Sequence, residues 1–245
     1  MNQPASESAA FSPAAYGDLI GALRARGYEP HSFADANPAT RHLIVRHDVD
    51  FSLAAAVAMA EQERGLGLAS TYFVLLRTEF YNPLSAEGLA AIKRIAANGH
   101  DIGLHFDAAL YKGEKDVLEE ACAHECSLLE AATDRPVTIV SYHRPASDVL
   151  GAADRLGGRL NAYGPRFIKE MGYCSDSRGA WHSGPPQEHP AVHGGRALQL
   201  LVHPFWWQAP ALAPAERLRK FLNERSAFLD AELARHCTIH RPAGR

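Results

Sequence analysis

The chain has 245 residues, 47% of them apolar and 22% charged, an ordinary globular balance that excludes a disordered or fibrous protein. Lys and Arg number 25 against 28 Asp and Glu, so the net charge of −3 speaks against a nucleic-acid binder with its usual basic surplus. The longest apolar stretches, 53–60 and 197–202, fall far short of the roughly 20 residues that cross a bilayer, and no membrane span is predicted.

Residues 1–15 are rich in Ala, Ser and Pro and are expected to form a flexible tail, with one domain over 16–245. They lack the basic start and apolar core of a secretory signal, so a cytoplasmic location is expected. Cys122, Cys126, Cys174 and Cys237 then read as free thiols, the first two as small core residues of a helix. His42–Val49 reads as a buried strand, 53–64 as a helix with an apolar stripe, and 70–76, β-branched and aromatic, as a second strand. Ser85 as N-cap, Leu89, Ile92, Ile95 and Ala96 on one face, and Gly99 at the C′ position delimit the next helix.

Asp101–Phe106 follows as a strand, 115–132 as a helix and 137–142 as a strand. A helix ends over 166–171, a strand lies near Tyr173, and Leu198–Val202 is the last strand. Segments 161–165 and 183–190 are turn-rich loops. A long helix over 213–235 closes the chain, with Leu218, Phe221, Leu222, Leu229 and Leu233 on its inner side. Strands separated by helices predict βαβ units, hence an α/β fold with a mainly parallel sheet.

In such folds chemistry gathers at the C-terminal ends of the strands. Strand alternation points Asp48 and Asp50 the same way, where two carboxylates repel unless a cation lies between them or one is protonated. The plainer alternative is a helix N-cap and a surface acid. The same period puts Asp101, Gly103, His105 and Asp107 on one face and Ile102, Leu104 and Phe106 on the other. A lone buried His is ordinarily a hydrogen-bonded core residue, but imidazole with Asp-x-Asp is a donor set for Zn²⁺ and other divalent ions. Two more strand ends carry His143-Arg144-Pro145 and His203, the latter followed by Phe205, Trp206 and Trp207. Singly, Arg144 reads as a surface ion-pair partner and His203 as a strand-end donor, while the indoles fit a core, a lid or a sugar site.

In order, RHDVD at 46–50, STYFV at 70–74, NGHDIGLH at 98–105, HRP at 143–145, SDSRGAW at 175–181 and LLVHP at 200–204 resemble the polysaccharide deacetylases, the NodB-homology fold. The resemblance spans about 40–207 and rests on six short motifs in the family's order, each weak by itself. It implies a deformed single-domain (β/α) barrel, a bound divalent metal, Zn²⁺ foremost, and hydrolysis of an N- or O-acetyl group on a sugar. By the same resemblance Asp48 takes the catalytic-base position, Asp50 and His105 are metal ligands, Arg144 orients the base, and His203 is the general acid. Asp176 and Trp181 fall in the motif that supports that histidine and walls the groove, which Asp107, Trp206 and Trp207 are expected to share as substrate contacts.

Two departures matter. The spaced Asp-Val-Asp is similar to a branch that includes small-amide hydrolases and certain peptidoglycan-deacetylase relatives, where the family usually has adjacent acids. Ala109 stands where the family's second metal histidine falls. His143 is the preferred third ligand, Asp107 its rival, and His100 is turned away by strand alternation. The expected activity is metal-dependent removal of an acyl group from an amino sugar or acylated sugar, a cytoplasmic precursor of a surface polysaccharide. Its partner is a small-molecule or oligosaccharide substrate. Hydrolysis of a small non-sugar amide and a sugar-binding pseudoenzyme are the alternatives.

Overall fold

A computed structural model describes residues 11–111 and 115–241. Residues 1–10 of the expected tail lie outside this set, but its last residues are helical. Helix α1 (Pro13–Ala25) is capped by Ser12, which accepts from the Ala15 N–H at 3.1 Å, and Pro13 occupies the first turn, where its missing N–H does no harm. Phe11 is buried edge-on against Trp207, with ring centroids 4.8 Å apart. A cap followed by proline outweighs the Ala/Ser composition that suggested a tail through residue 15.

The chain continues through β1 (Glu29–Pro30), β2 (His42–Val49), α2 (Leu53–Gly65), β3 (Thr71–Val74), α3 (Ala86–Ala97), β4 (Asp101–Phe106), α4 (Lys115–Thr133) and β5 (Ile139–Tyr142). A short hairpin follows, β6 (Arg155–Leu156) and β7 (Arg159–Asn161), which its few residues hid from the periodicity. One π-helical turn, Arg166–Glu170, leads to β8 (Gly172–Ser175), α5 (Pro190–His193), β9 (Leu198–Val202) and α6 (Pro214–His236). Helix α3 has the expected punctuation: Ser85 accepts from the Gly88 N–H at 3.0 Å, and Gly99 leaves the helix at φ +93°.

The sheet runs β6-β7-β5-β4-β3-β2-β9-β8 with β1 beside β2, and every pairing is parallel except that of the hairpin. This is the expected α/β, (β/α)-barrel-like architecture, left open at β6 and β8 among the described residues. On the outer face Tyr72, Val74, Ile102, Leu104 and Phe106 pack beneath Leu53, Ala56, Ile92 and Ile95, and beneath Cys122 and Cys126 of α4. On the inner face Phe33, Ile44, Phe73, Ile139 and Phe167 meet in one cluster, so strands distant in the order share a concave interior filled by side chains. Gly103 belongs there because a Cβ would come within 2.6 Å of the Phe73 ring.

The alternation of β2 is pinned from behind. Glu63 of α2 is fully buried and lies 2.8 Å from His47 Nε2, accepts from Ser70 Oγ at 2.6 Å and Tyr72 Oη at 2.8 Å, and accepts from Tyr16 Oη as well. Burial alone would raise its carboxyl pKa, but His47 and the hydroxyl donors lower it and keep it ionised. With His47 held outward, Arg46 and Asp48 face inward.

Helix α6 forms as predicted, but its leucine face is not an inner one. Leu218, Leu222, Leu229 and Leu233 are 37, 62, 52 and 54% exposed. Phe221 packs on Phe51 and Phe205, and Arg217 is the residue of the helix that becomes buried, donating to the carbonyls of Gln208 and Pro210 at 2.6 Å. Helical period identifies a face; it does not say what covers it. Among the described residues no helix is long and apolar enough to cross a membrane.

Candidate active site

Parallel pairing in register brings the ends of β2, β4, β5 and β9 together. Asp48 pairs with Phe73, Phe73 with Gly103, and His105 with Ser141, so the side chains after them open into one cavity of about 700 Å³. Its floor carries Asp48, Asp50, His105, His143 and His203.

One ligand atom each from Asp50, His105 and His143 lies within 4.8 Å of the other two. His105 Nδ1 is 2.7 Å from Ser141 Oγ, which leaves Nε2 facing Asp50 Oδ1 at 3.3 Å. His143 Nδ1 is 3.1 Å from Asp107 Oδ2, which likewise leaves Nε2 free. Asp50 Oδ1 is buried and makes no hydrogen bond, for its contact with His105 lacks hydrogen-bond geometry. Two imidazole nitrogens and an orphaned carboxylate oxygen, with a carboxylate behind one imidazole, suit a divalent cation with N/O preference. Burial, then the neighbouring His105, lowers the His143 pKa and favours the neutral form that ligation needs. Asp107, the rival third ligand, stands behind His143, and His100 is buried elsewhere, against Ser70 and the Ala60 carbonyl.

The carboxylate of Asp48 is gripped by Arg46, not by Arg144. Arg46 Nε and Nη2 donate to Asp48 Oδ1 and Oδ2, each at 2.8 Å, and both side chains are essentially buried. Burial would raise the Asp48 pKa, but the Arg46 guanidinium, followed by His105, holds it well below the usual carboxylate range. The Arg46 guanidinium in turn lies over the Tyr163 ring, 4.3 Å from its centroid. Arg144, expected to orient Asp48, donates to Asp107 and leaves 67% of its side chain exposed. The chain turns sharply there, with Arg144 at φ +50°, and that turn carries the guanidinium away from β2. The signal for Arg46 was present in RHDVD: a residue two before Asp48 on a strand shares its face.

His203 is backed by Asp176, which accepts from the His203 backbone N–H at 3.0 Å and the Trp207 indole N–H at 2.6 Å, and lies 2.6 Å from His203 Nδ1. Burial alone would lower the His203 pKa, but the Asp176 carboxylate outweighs it and, with Asp50 and Asp48, raises it to about 9. The folded state therefore holds this proton more tightly than the unfolded chain, whose ordinary value is 6.5. In chelator-treated protein the resulting stability is fully present below about pH 6.5 and disappears as pH rises through about 9. The urea midpoint should fall across that window, and the fall should shrink in Asp176→Asn. A midpoint with the same pH slope in both proteins would contradict the pairing.

Above the floor the cavity is lined by Phe51, Tyr142, Leu150, Ile168, Leu201 and Trp206 among others. Of the expected substrate contacts only Trp206 is among the lining residues. Trp207 is buried with its indole N–H on Asp176, Trp181 sits behind it against Phe11, and Asp107 and Asp176 are occupied by the residues they hold. Sequence order placed these side chains near the site but not on its surface. The turn-rich segments 161–165 and 183–190 contribute Tyr163 and Ser183 to the wall.

No family model and no curated protein matches the chain. Among solved structures it is similar to a family 4 carbohydrate esterase from Bacillus anthracis, 16% identical over 85% of this chain and 84% of that one, with a TM-score of 0.44. A Streptococcus pyogenes deacetylase in complex with acetate is 14% identical over 89% and 92%, with a TM-score of 0.44. A family 4 acetyl xylan esterase from Clostridium thermocellum, in complex with a cobalt ion, is 15% identical over 75% and 84%, with a TM-score of 0.40.

Proposed function

We propose that the chain is a metal-dependent hydrolase that removes an acetyl or other acyl group from an amino sugar or acylated sugar. Zn²⁺ is our first choice of ion, and a cytoplasmic precursor of a surface polysaccharide our first choice of substrate. The observation that carries the reading is the convergence of Asp50, His105 and His143 on one point, with Asp48 and His203 beside it.

Asp50 and the Nε2 atoms of His105 and His143 would hold the ion. A divalent cation bound there supplies Lewis acidity toward a carbonyl oxygen and makes a water easier to deprotonate. Asp48, kept ionised and aimed by Arg46, accepts the proton of a water at the cavity floor. So acidic a carboxylate is a weak base, and it would serve best toward a water that a bound cation would acidify. His203 enters protonated and gives its Nε2 proton to the departing nitrogen or oxygen, while Asp176 fixes Nδ1 and the tilt of the ring.

The test is metal analysis of protein purified without chelator, together with acetate release from N-acetylated sugars. Asp50→Ala and His105→Ala should each abolish stoichiometric metal. Asp107→Asn, which loosens His143 without removing a ligand, should weaken metal binding about 10–100-fold. Unchanged affinity in His143→Ala would remove it from the ligand set, and metal-free protein that still binds sugar would establish a pseudoenzyme instead. Hydrolysis of a small non-sugar amide remains a second reading because the cavity walls are largely apolar, with Leu150, Ile168 and Leu201 above the floor.

A further inference from the structure

Among the described residues, three other than glycine have a left-handed backbone: Asp134 at φ +57°, Arg144 at φ +50° and Arg178 at φ +58°. Asp134 follows the end of α4, where this conformation is an ordinary helix stop. The other two are both arginines, and both line the cavity described above. An L residue with a long side chain adopts this region at a cost, and such outliers persist where the surroundings over-determine them, often at ligand-binding positions.

The turn that carries Arg178 is held on both sides. Asp176 is tied to His203 and Trp207, and Gly179 packs so closely on Pro214 that a Cβ would approach its ring to 2.7 Å. Arg178 itself is exposed, and among the described residues no carboxylate pairs with it and no acceptor takes its hydrogen bonds. Arg144 uses one nitrogen on Asp107 and keeps its remaining donors toward solvent. The wall of the cavity therefore carries the guanidiniums of Arg144 and Arg178 beside apolar side chains such as Leu150, Ile168 and Trp206, while at the floor the carboxylate of Asp48 is already paired with Arg46.

We infer that the substrate of this site carries an oxyanion, a carboxylate or a phosphate, which Arg178 binds with help from Arg144 while the acyl group lies at the floor. The inference rests on the cavity being the active site. Arg178, which has no counter-charge of its own, and the partly engaged Arg144 attract an anion to the wall of the cavity. Guanidinium is the group suited to bidentate recognition of either oxyanion. Arg178 is a substrate-binding residue on this account and takes no part in proton transfer.

Titration calorimetry on the full chain tests it with three probes that cannot be deacylated: 3-phenylpropionate, benzyl phosphate and the uncharged 3-phenylpropan-1-ol. At least one anion should bind about tenfold or more tightly than the alcohol, the size of one charge-assisted contact, and the better anion identifies carboxylate or phosphate as the natural group. Arg178→Gly, which suits the positive φ and so spares the fold, should bring that ratio close to one. Arg178→Lys keeps the charge and should retain part of the preference. Anions that bind no more tightly than the alcohol, or a preference that survives Arg178→Gly, would overturn the inference. Because the titration needs no turnover, a flat ratio beside measurable acyl release sinks this inference alone. A preserved Arg178-dependent ratio in a protein that proves metal-free and inactive leaves the anion site standing and removes the hydrolase.

Discussion

Asp48→Asn should reduce acyl release by roughly 10³-fold, within the range that a positioned general base contributes, while the metal content stays that of the parent. The reason is local. Asp48 is ionised because Arg46 clamps both its oxygens, and an amide at this position has neither the charge nor the basic lone pair to take a proton from water. The metal ligands are untouched by the change, since Asp50, His105 and His143 make up the cluster without it. The substitution also leaves a buried guanidinium without its counter-charge, which costs about 3–5 kcal/mol. Turnover must therefore be compared on protein shown to be folded by its urea transition. Substantial activity in folded, metal-loaded Asp48→Asn would take the base role away from this residue.

Arg46→Met is expected to have the second-largest effect, and comparison with Arg144→Met decides which arginine serves Asp48. Both partners of the Arg46–Asp48 pair are almost fully buried, so removing the guanidinium strands a carboxylate and should lower the unfolding free energy by about 3–5 kcal/mol. With that charge gone, burial is free to push the Asp48 pKa upward. The acid limb of the pH–rate profile should move to higher pH, a shift that loss of packing alone does not produce. Arg144→Met breaks a bridge whose arginine is 67% exposed, and should cost no more than about 1 kcal/mol, leaving the acid limb where it was. The double variant Arg46→Met/Asp48→Asn should be more stable than Arg46→Met, because no buried charge is left unpaired. If the acid limb moved in Arg144→Met and stayed in Arg46→Met, the assignment would be reversed.

The backbone plan was open to a reader of the sequence because its signals are local. Ser85 and Gly99 bracket α3 by capping chemistry, and the two-residue repeat of β2 and β4 sets Asp48, Asp50 and His105 on the inner face without knowledge of any neighbour. The same repeat covers Arg46, so its direction was equally legible; its partner was not, since a guanidinium on that face had several acids within reach. The leucines of α6 mark the opposite limit. Their spacing is helical, yet whether a surface lies against them depends on where the helix is set down.

Composition and periodicity thus determined that this chain is an α/β protein and that acids and imidazoles crowd the C-terminal ends of its strands. Tertiary structure decided the pairings. The register of β4 against β5, with His105 beside Ser141, brings His143 to Asp50 and sends Asp107 behind it. The turn at Arg144 aims one arginine outward, and Trp207 goes inward to Asp176 while Trp206 lines the cavity. Alternation along a strand is a property of one backbone and is written in adjacent residues. Distances between side chains on different strands depend on how those strands slide past one another, and no short stretch of sequence carries that information.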